Sequence, residues 1–125
     1  MFSELNNGSG GSGGSFTFPQ INESDVLATN PSRYPASGVA TQNCYLKTHG
    51  EGFYRYSQLA IYLKDTNGNV AQKFVCHNNY SAAQWIGDSS QTEQTMIFIP
   101  KGYSLEFSSS VTTDSNNGFK IYGCV

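Results

Sequence analysis

Six side chains in two polar segments of the chain are the residues best suited to binding a ligand. The first segment, residues 53–57, sets aromatic rings around one arginine, and the second, residues 80–88, contains the only tryptophan. An exposed ring can stack on the C–H face of a sugar, and neighbouring charged groups form the stronger hydrogen bonds to its hydroxyls. The predicted ligand-binding residues are Tyr54, Arg55, Tyr56, Tyr80, Trp85 and Asp88.

A purely structural role is the alternative for the aromatic members of this set. Trp85 could close one end of a hydrophobic core, and Tyr54 and Tyr56 could cover the outer face of a strand. The length of the connection that carries Trp85 favours binding, because long loops on a rigid scaffold often hold functional residues.

The spacing Asp65-x-Asn67-x-Asn69 is similar to the start of a calcium-binding loop. An EF-hand loop requires glycine just after the third ligand and glutamate at its twelfth position. Here Gly68 precedes the third ligand, and Cys76 occupies the twelfth position. The segment is therefore predicted to be a hairpin turn rather than a metal site.

No catalytic motif is complete in the chain. His49-x-Glu51 matches the first part of a zinc deaminase signature, but the Pro-Cys-x-x-Cys that must accompany it is missing. Neither a Gly-x-Ser-x-Gly elbow nor a phosphate-binding P-loop is present. We therefore expect a protein that is not an enzyme and uses no metal and no cofactor.

Composition narrows the classes of partner. Charged residues make up 13% of the chain, about half the usual ~25%, and the net charge is −2. Nucleic-acid binding would need a clustered basic face, and spanning a membrane would need about 20 consecutive apolar residues. Neither feature occurs in this chain, so no nucleic-acid partner and no membrane insertion are expected.

The three cysteines form an odd set, which leaves one thiol unpaired or bridging two chains. One disulfide between Cys44 and Cys124 is expected, because it would tie the last strand to an early one. Cys76 shares a strand face with Val70 and Phe74, which favours a buried free thiol. Three reduced cysteines remain the alternative.

A regular Gly/Ser repeat at residues 8–15 divides the chain. Such repeats are typical of engineered flexible linkers. The linker joins a leader, residues 1–7, to a domain predicted to span residues 16–125. The leader is either vector sequence or a fused peptide that docks on the domain, with Phe2 and Leu5 as its apolar anchors.

Period-2 alternation predicts strands along the whole domain. Tyr103, Leu105 and Phe107 alternate with polar residues after a turn at residues 100–102. Asn-Gly at residues 67–68 predicts a hairpin, and residues 30–35, with two prolines, predict a loop. The predicted strands cover residues 16–18, 39–47, 53–64, 70–76, 96–99, 103–108 and 119–124, and Val26 and Leu27 are expected to form a further short piece.

No segment shows a sustained helical period, so the predicted fold class is all-β. Regularly spaced short strands indicate a single antiparallel β-sandwich or jelly-roll-like domain. The predicted core consists of inward-facing apolar residues: Leu59, Ile61, Leu63, Phe74, Ile97, Ile99, Leu105, Phe107, Phe119 and Ile121.

Residues 38–125 resemble the receptor-binding knobs at the tips of phage tail fibres and pilus adhesins. The resemblance rests on the strands at residues 39–43, 57–63 and 70 onward, a polar loop with a tryptophan, and Thr95-Met-Ile-Phe-Ile-Pro-Lys-Gly-Tyr-Ser-Leu-Glu-Phe107. It implies an extracellular adhesin, at a pilus tip or virion surface, that recognises a cell-surface saccharide of the lipopolysaccharide type. It also implies a homotrimer or a pilus or fibre subunit, and the cysteines favour the pilus version.

A second resemblance is to CUB domains, which are extracellular protein-interaction modules. It rests on residues 30–35, Cys44 and the stretch from Phe107 to Tyr122. The segment between Cys44 and Tyr56 is shorter than the strands that a CUB domain places there, so this is the alternative function.

Overall fold

The computed structural model describes residues 17–50, 53–55, 59–77, 84–86, 95–108 and 118–125. Within these ranges, side chains are not described for residues 53–55, 59, 75–77 and 84–86. The leader, the linker and Phe16 lie outside the described residues.

Two antiparallel four-stranded sheets form the domain, and a two-stranded ribbon accompanies them. The first sheet has the order β1 (Ile21–Thr29), β10 (Gly118–Cys124), β3 (Cys44–His49) and β8 (Met96–Ile99). The second sheet has the order β2 (Arg33–Tyr34), β9 (Ser104–Phe107), β5 (Leu59–Lys64) and β6 (Val70–His77). The ribbon pairs β4 (Phe53–Arg55) with β7 (Gln84–Ile86). No helix occurs in the described ranges, so the all-β sandwich prediction is confirmed.

The core lies between the two sheets and follows the alternation of the strands. In β3, Cys44, Leu46 and Thr48 are fully buried, because every second residue points inward. Phe107 and Phe119 stack across the sandwich with ring centroids 5.1 Å apart. Since these two rings come from different sheets, they fix the sheets against each other.

Most of the predicted core is confirmed. The buried members are Ile61, Leu63, Ile97, Ile99, Leu105, Phe119 and Ile121. Phe74 and Phe107 are only partly buried, although both pack against this core. The side chain of Leu59 lies outside the described set.

Several predicted strand limits are wrong. Thr17 and Phe18 form no strand, and the first strand, β1, instead runs for nine residues from Ile21. The predicted loop at residues 30–35 contains β2, whose two residues lie between the prolines and pair with β9. The predicted strand 53–64 is divided into β4 and β5. A proline limits a strand but does not prevent a two-residue pairing beside it.

The two predicted turns are confirmed, and in the first the Asp65 carboxylate bonds to backbone amides of its own turn. The amide of Gly68 donates to the carbonyl of Asp65 at 2.9 Å, and Gly68 has a φ of 85°. The Asp65 carboxylate accepts the amides of Asn67 and Asn69, each at 2.9 Å. This carboxylate therefore already has two donors within its own turn. At residues 100–102, the Tyr103 amide closes the second turn on Pro100 at 3.0 Å.

The expected disulfide between Cys44 and Cys124 is wrong, because both residues are free thiols. Cys44 lies opposite Gly123 in the register of β3 and β10. Successive strand residues point to opposite faces of a sheet, so Cys124 faces away from Cys44. The buried Cys44 thiol instead lies 3.7 Å from the carbonyl of Ile99. The prediction for the Cys76 side chain lies outside the described residues.

Candidate functional site

The ribbon brings together the two segments that were predicted to bind a ligand. Residues 53–55 and 84–86 are far apart in the sequence but pair antiparallel through their backbones. Tyr54 is the register partner of Trp85, and Arg55 is the partner of Gln84. Directly opposite residues are nearest neighbours in an antiparallel pair. The topology therefore places Tyr54, Arg55 and Trp85 in one small element.

The ribbon lies beside the sandwich rather than within either sheet. Its strand β7 contacts β6, which ends the order of the second sheet. Its strand β4 precedes β5, a central strand of that sheet, by three residues. The ribbon is thus attached at one margin of the scaffold.

The other members of the predicted site stay predictions. Tyr56, Tyr80 and Asp88 lie outside the described residues. The side chains of Tyr54, Arg55 and Trp85 also lie outside them. Stacking on a ligand therefore stays a prediction for both rings, with closing the core as the alternative for Trp85 and covering the outer face of a strand as the alternative for Tyr54.

An apolar groove is a second candidate site, which sequence reasoning missed. It has a volume of about 370 Å³ and lies where β6 and β8 approach each other. Its lining comes from both sheets and from the segment before β1: Phe18, Tyr45, Gln72, Phe74, Met96, Ile97 and Phe98. Phe18 and Met96 expose 46% and 52% of their surface.

Three aromatic residues in mutual contact shape one wall of the groove. Tyr45 and Phe98 are register partners on the outer face of the first sheet, with ring centroids 5.1 Å apart. Phe18 meets Phe98 edge-on at 5.5 Å. The Tyr45 hydroxyl donates to the carbonyl of Pro19 at 2.6 Å, and burial raises its pKa. This bond holds the chain before β1 against the sheet.

Sequence patterns gave no signal for this wall, because it depends on register. Alternation places Tyr45 and Phe98 on outer faces, where a single aromatic residue is common. They form a wall only because β3 and β8 pair with these two residues opposite each other. Sequence alone does not fix that pairing.

The most prominent group of charges in the described sheets is structural. Glu106 accepts Lys64 at 3.0 Å and Arg33 at 3.2 Å. The hydrogen bond from Lys64, and then that from Arg33, hold the pKa of Glu106 below its usual range. The three residues join β5, β9 and β2 on an outer face, so this cluster links strands.

The described ranges contain no group of three or more potential metal ligands among His, Cys, Asp and Glu. They also contain no helix long and apolar enough to cross a membrane.

Comparisons with known proteins identify no relative. No family model matches the chain, and no curated protein or solved structure matches it significantly. Residues and geometry are therefore the basis on which a function can be assigned.

Proposed function

We propose that this domain is a non-catalytic adhesin or receptor-binding module for a cell-surface saccharide. The observation that carries the proposal is the register of the ribbon, in which Tyr54 lies opposite Trp85. Parts of two segments whose aromatic and charged residues suit sugar binding thus pair in one element. Its attachment beside a rigid sandwich is a usual position for binding residues.

Aromatic rings and polar side chains have different roles in binding the saccharide. Trp85 or Tyr80 provides the stacking face, and Arg55 and Asp88 provide hydrogen bonds to hydroxyls. Hydrogen bonds that involve a charged group are about twice as strong as neutral ones. Each site is weak, so presentation of several copies on a pilus or fibre, for example as a homotrimer, strengthens attachment by multivalency.

The location that fits this function is extracellular, at a pilus tip or virion surface. An all-β domain with few charges and many polar turn residues suits that setting. Lipopolysaccharide is the saccharide class that the resemblance to fibre and pilus knobs suggests.

A glycan and lipopolysaccharide array tests the proposal, scored first for retention of the protein and then for shortening of the glycan. We expect saturable retention without cleavage. Trp85→Ala and Tyr80→Ala should weaken binding by about 1–3 kcal/mol if the stacking resembles that of nucleobases on aromatic residues. Tyr62→Ala is the matched control, because Tyr62 lies in β5 of the second sheet under Lys73 and is not part of the ribbon.

The array also separates the alternatives. Shortened glycan would indicate an enzyme. Absence of retention on every glycan would contradict the saccharide proposal. A large loss of stability in Trp85→Ala, with binding intact in the folded fraction, would establish Trp85 as a core residue and move the site elsewhere.

A protein-interaction module of the CUB type is the second candidate, and the apolar groove favours it. The groove exposes Phe18 and Met96, and apolar patches on a surface often mark protein contacts. Binding of a protein partner that is lost on substitution of Met96 but not of Trp85 would support this candidate.

A further inference from the structure

The groove lies between the terminal strands of the two sheets. β8 ends the order of the first sheet and β6 ends that of the second. A strand with one partner offers backbone amides and carbonyls on its other side, and proteins often cover such edges. Among the described residues, no strand pairs with the outer side of β8. An edge strand beside apolar side chains is suited to an extended segment.

The side chains that line the groove come from both faces of β8. Met96 and Phe98 point outward, and Ile97 between them is buried toward the core. A segment extended beside β8 would send successive side chains to opposite faces. Two apolar anchors separated by an odd number of positions would then occupy both sides of the groove together.

The leader of this chain has that spacing. Phe2 and Leu5 are three positions apart, with Ser3 and Glu4 between them. In an extended conformation one anchor would face the outer wall around Phe98, and the other would face the opening between the sheets. Leu5 is the only apolar residue of the leader after Phe2.

Chain length also fits this occupant. Phe18 is part of the groove, and ten residues, 8–17, separate it from the leader. A Gly/Ser-rich chain of ten residues has an average end-to-end distance of about 17 Å. Its fully extended limit is about 35 Å. A segment tethered this closely has an effective concentration in the millimolar range, so modest affinity is sufficient.

We propose that residues 2–5 dock in the groove beside β8 of the same chain, with Phe2 and Leu5 on its two sides. This contact is separate from saccharide binding at the ribbon. It covers apolar surface of Phe18 and Met96, and it blocks the edge of β8 to other chains.

The methionines offer a direct probe, because the 125 residues contain only two, Met1 and Met96. We would label the methionine methyl groups with ¹³C and record nuclear Overhauser contacts from Met96 to aromatic protons. The expected result is a contact that disappears in Phe2→Ser and changes in Leu5→Ser. Asn7→Ser is the control in the same leader and should keep the contact. Amide resonances away from the groove verify that each variant is folded.

A mixed sample distinguishes the same chain from a second copy. It combines labelled Phe2→Ser protein with unlabelled wild-type protein, so that any contact to Phe2 must come from another molecule. The proposal expects no such contact at any concentration. A contact in the mixture would assign the groove to a second copy, and a wild-type spectrum unaltered by Phe2→Ser would refute docking. Neither result bears on saccharide retention, which is tested through Trp85.

Discussion

Replacement of Asn30 should show how the end of β1 is held in place. Asn30 has a φ of 49°, a backbone conformation that residues other than Gly, Asn and Asp rarely adopt. Its amide donates to the carbonyl of Phe119 at 2.9 Å, and its Oδ1 accepts the amide of Phe119 at 2.9 Å. The side chain thus extends the β1–β10 ladder by one further bond.

Different replacements of Asn30 separate the stability that comes from its side-chain hydrogen bond from the stability that comes from its tolerance of a positive φ. Loss of the Oδ1 hydrogen bond costs about 1 kcal/mol. Placing alanine in the left-handed region costs roughly another 1 kcal/mol. Asn30→Gly should therefore lose about 1 kcal/mol and Asn30→Ala about 2 kcal/mol of unfolding free energy, or roughly 8 °C in Tm for the alanine variant. Asn30→Asp should lose least, because it keeps an acceptor and tolerates this φ.

Urea unfolding measures these differences, and an unchanged m-value shows that the unfolded state is the same. Asn43→Ala is a matched control, since Asn43 Oδ1 accepts the Lys101 amide at 2.8 Å without a positive φ. It should therefore cost no more than Asn30→Gly. Equal costs for Asn30→Ala and Asn30→Gly would refute the left-handed conformation, and no cost in either would refute the hydrogen bond.

Gly118 provides an independent test of the position of the Asn30 side chain at the end of β1. A Cβ at this position would overlap Oδ1 of Asn30, so Gly118→Ala should displace that side chain. In the Asn30→Gly background the obstacle is gone, and the second substitution should cost less than it does alone. Additive costs would contradict the close approach of these two residues.

Three further outcomes are expected. Ile61→Ala should lower the unfolding free energy by about 2–5 kcal/mol in urea titration, because Ile61 is fully buried. Burial raises the pKa of Cys44 to about 12, so alkylation of the native protein near pH 8 should spare Cys44 until it unfolds, as peptide mass mapping would show. Glu106→Gln should cost less than about 1 kcal/mol, since the pair is one-third exposed. That contribution is present above the unfolded pKa of Glu106 and is lost as pH falls through its lowered folded pKa, which thermal melts at several pH values would detect.

The strands of the second half of the domain could be predicted because their signals are local. Alternation at Ile97, Ile99 and Leu105, and the turn residues Pro100 and Gly102, each act within a few positions. The core residues followed from the same alternation. The fold class needed no information about which strands pair.

Features that depend on pairing could not be predicted. The disulfide prediction was wrong because the register of β10 with β3 decides which face of the sheet the Cys124 side chain lies on. The spacing between Cys44 and Cys124 in the sequence does not determine that face. The groove was missed because Tyr45 and Phe98 become neighbours only across two strands. The ribbon is a partial exception, since the residue types in both of its segments predict ligand binding, whereas their direct pairing has no signal in the sequence.

Fluorescence of the sole tryptophan tests the central claim most directly, because every change in its emission reports on Trp85. The wild-type chain would be titrated with lipopolysaccharide-derived oligosaccharides while emission and acrylamide quenching are followed. Stacking predicts a saturable change in emission together with protection of Trp85 from quenching, both retained in Tyr62→Ala. Saccharide binding detected by calorimetry with unchanged emission and quenching would contradict the assignment of the site to the ribbon.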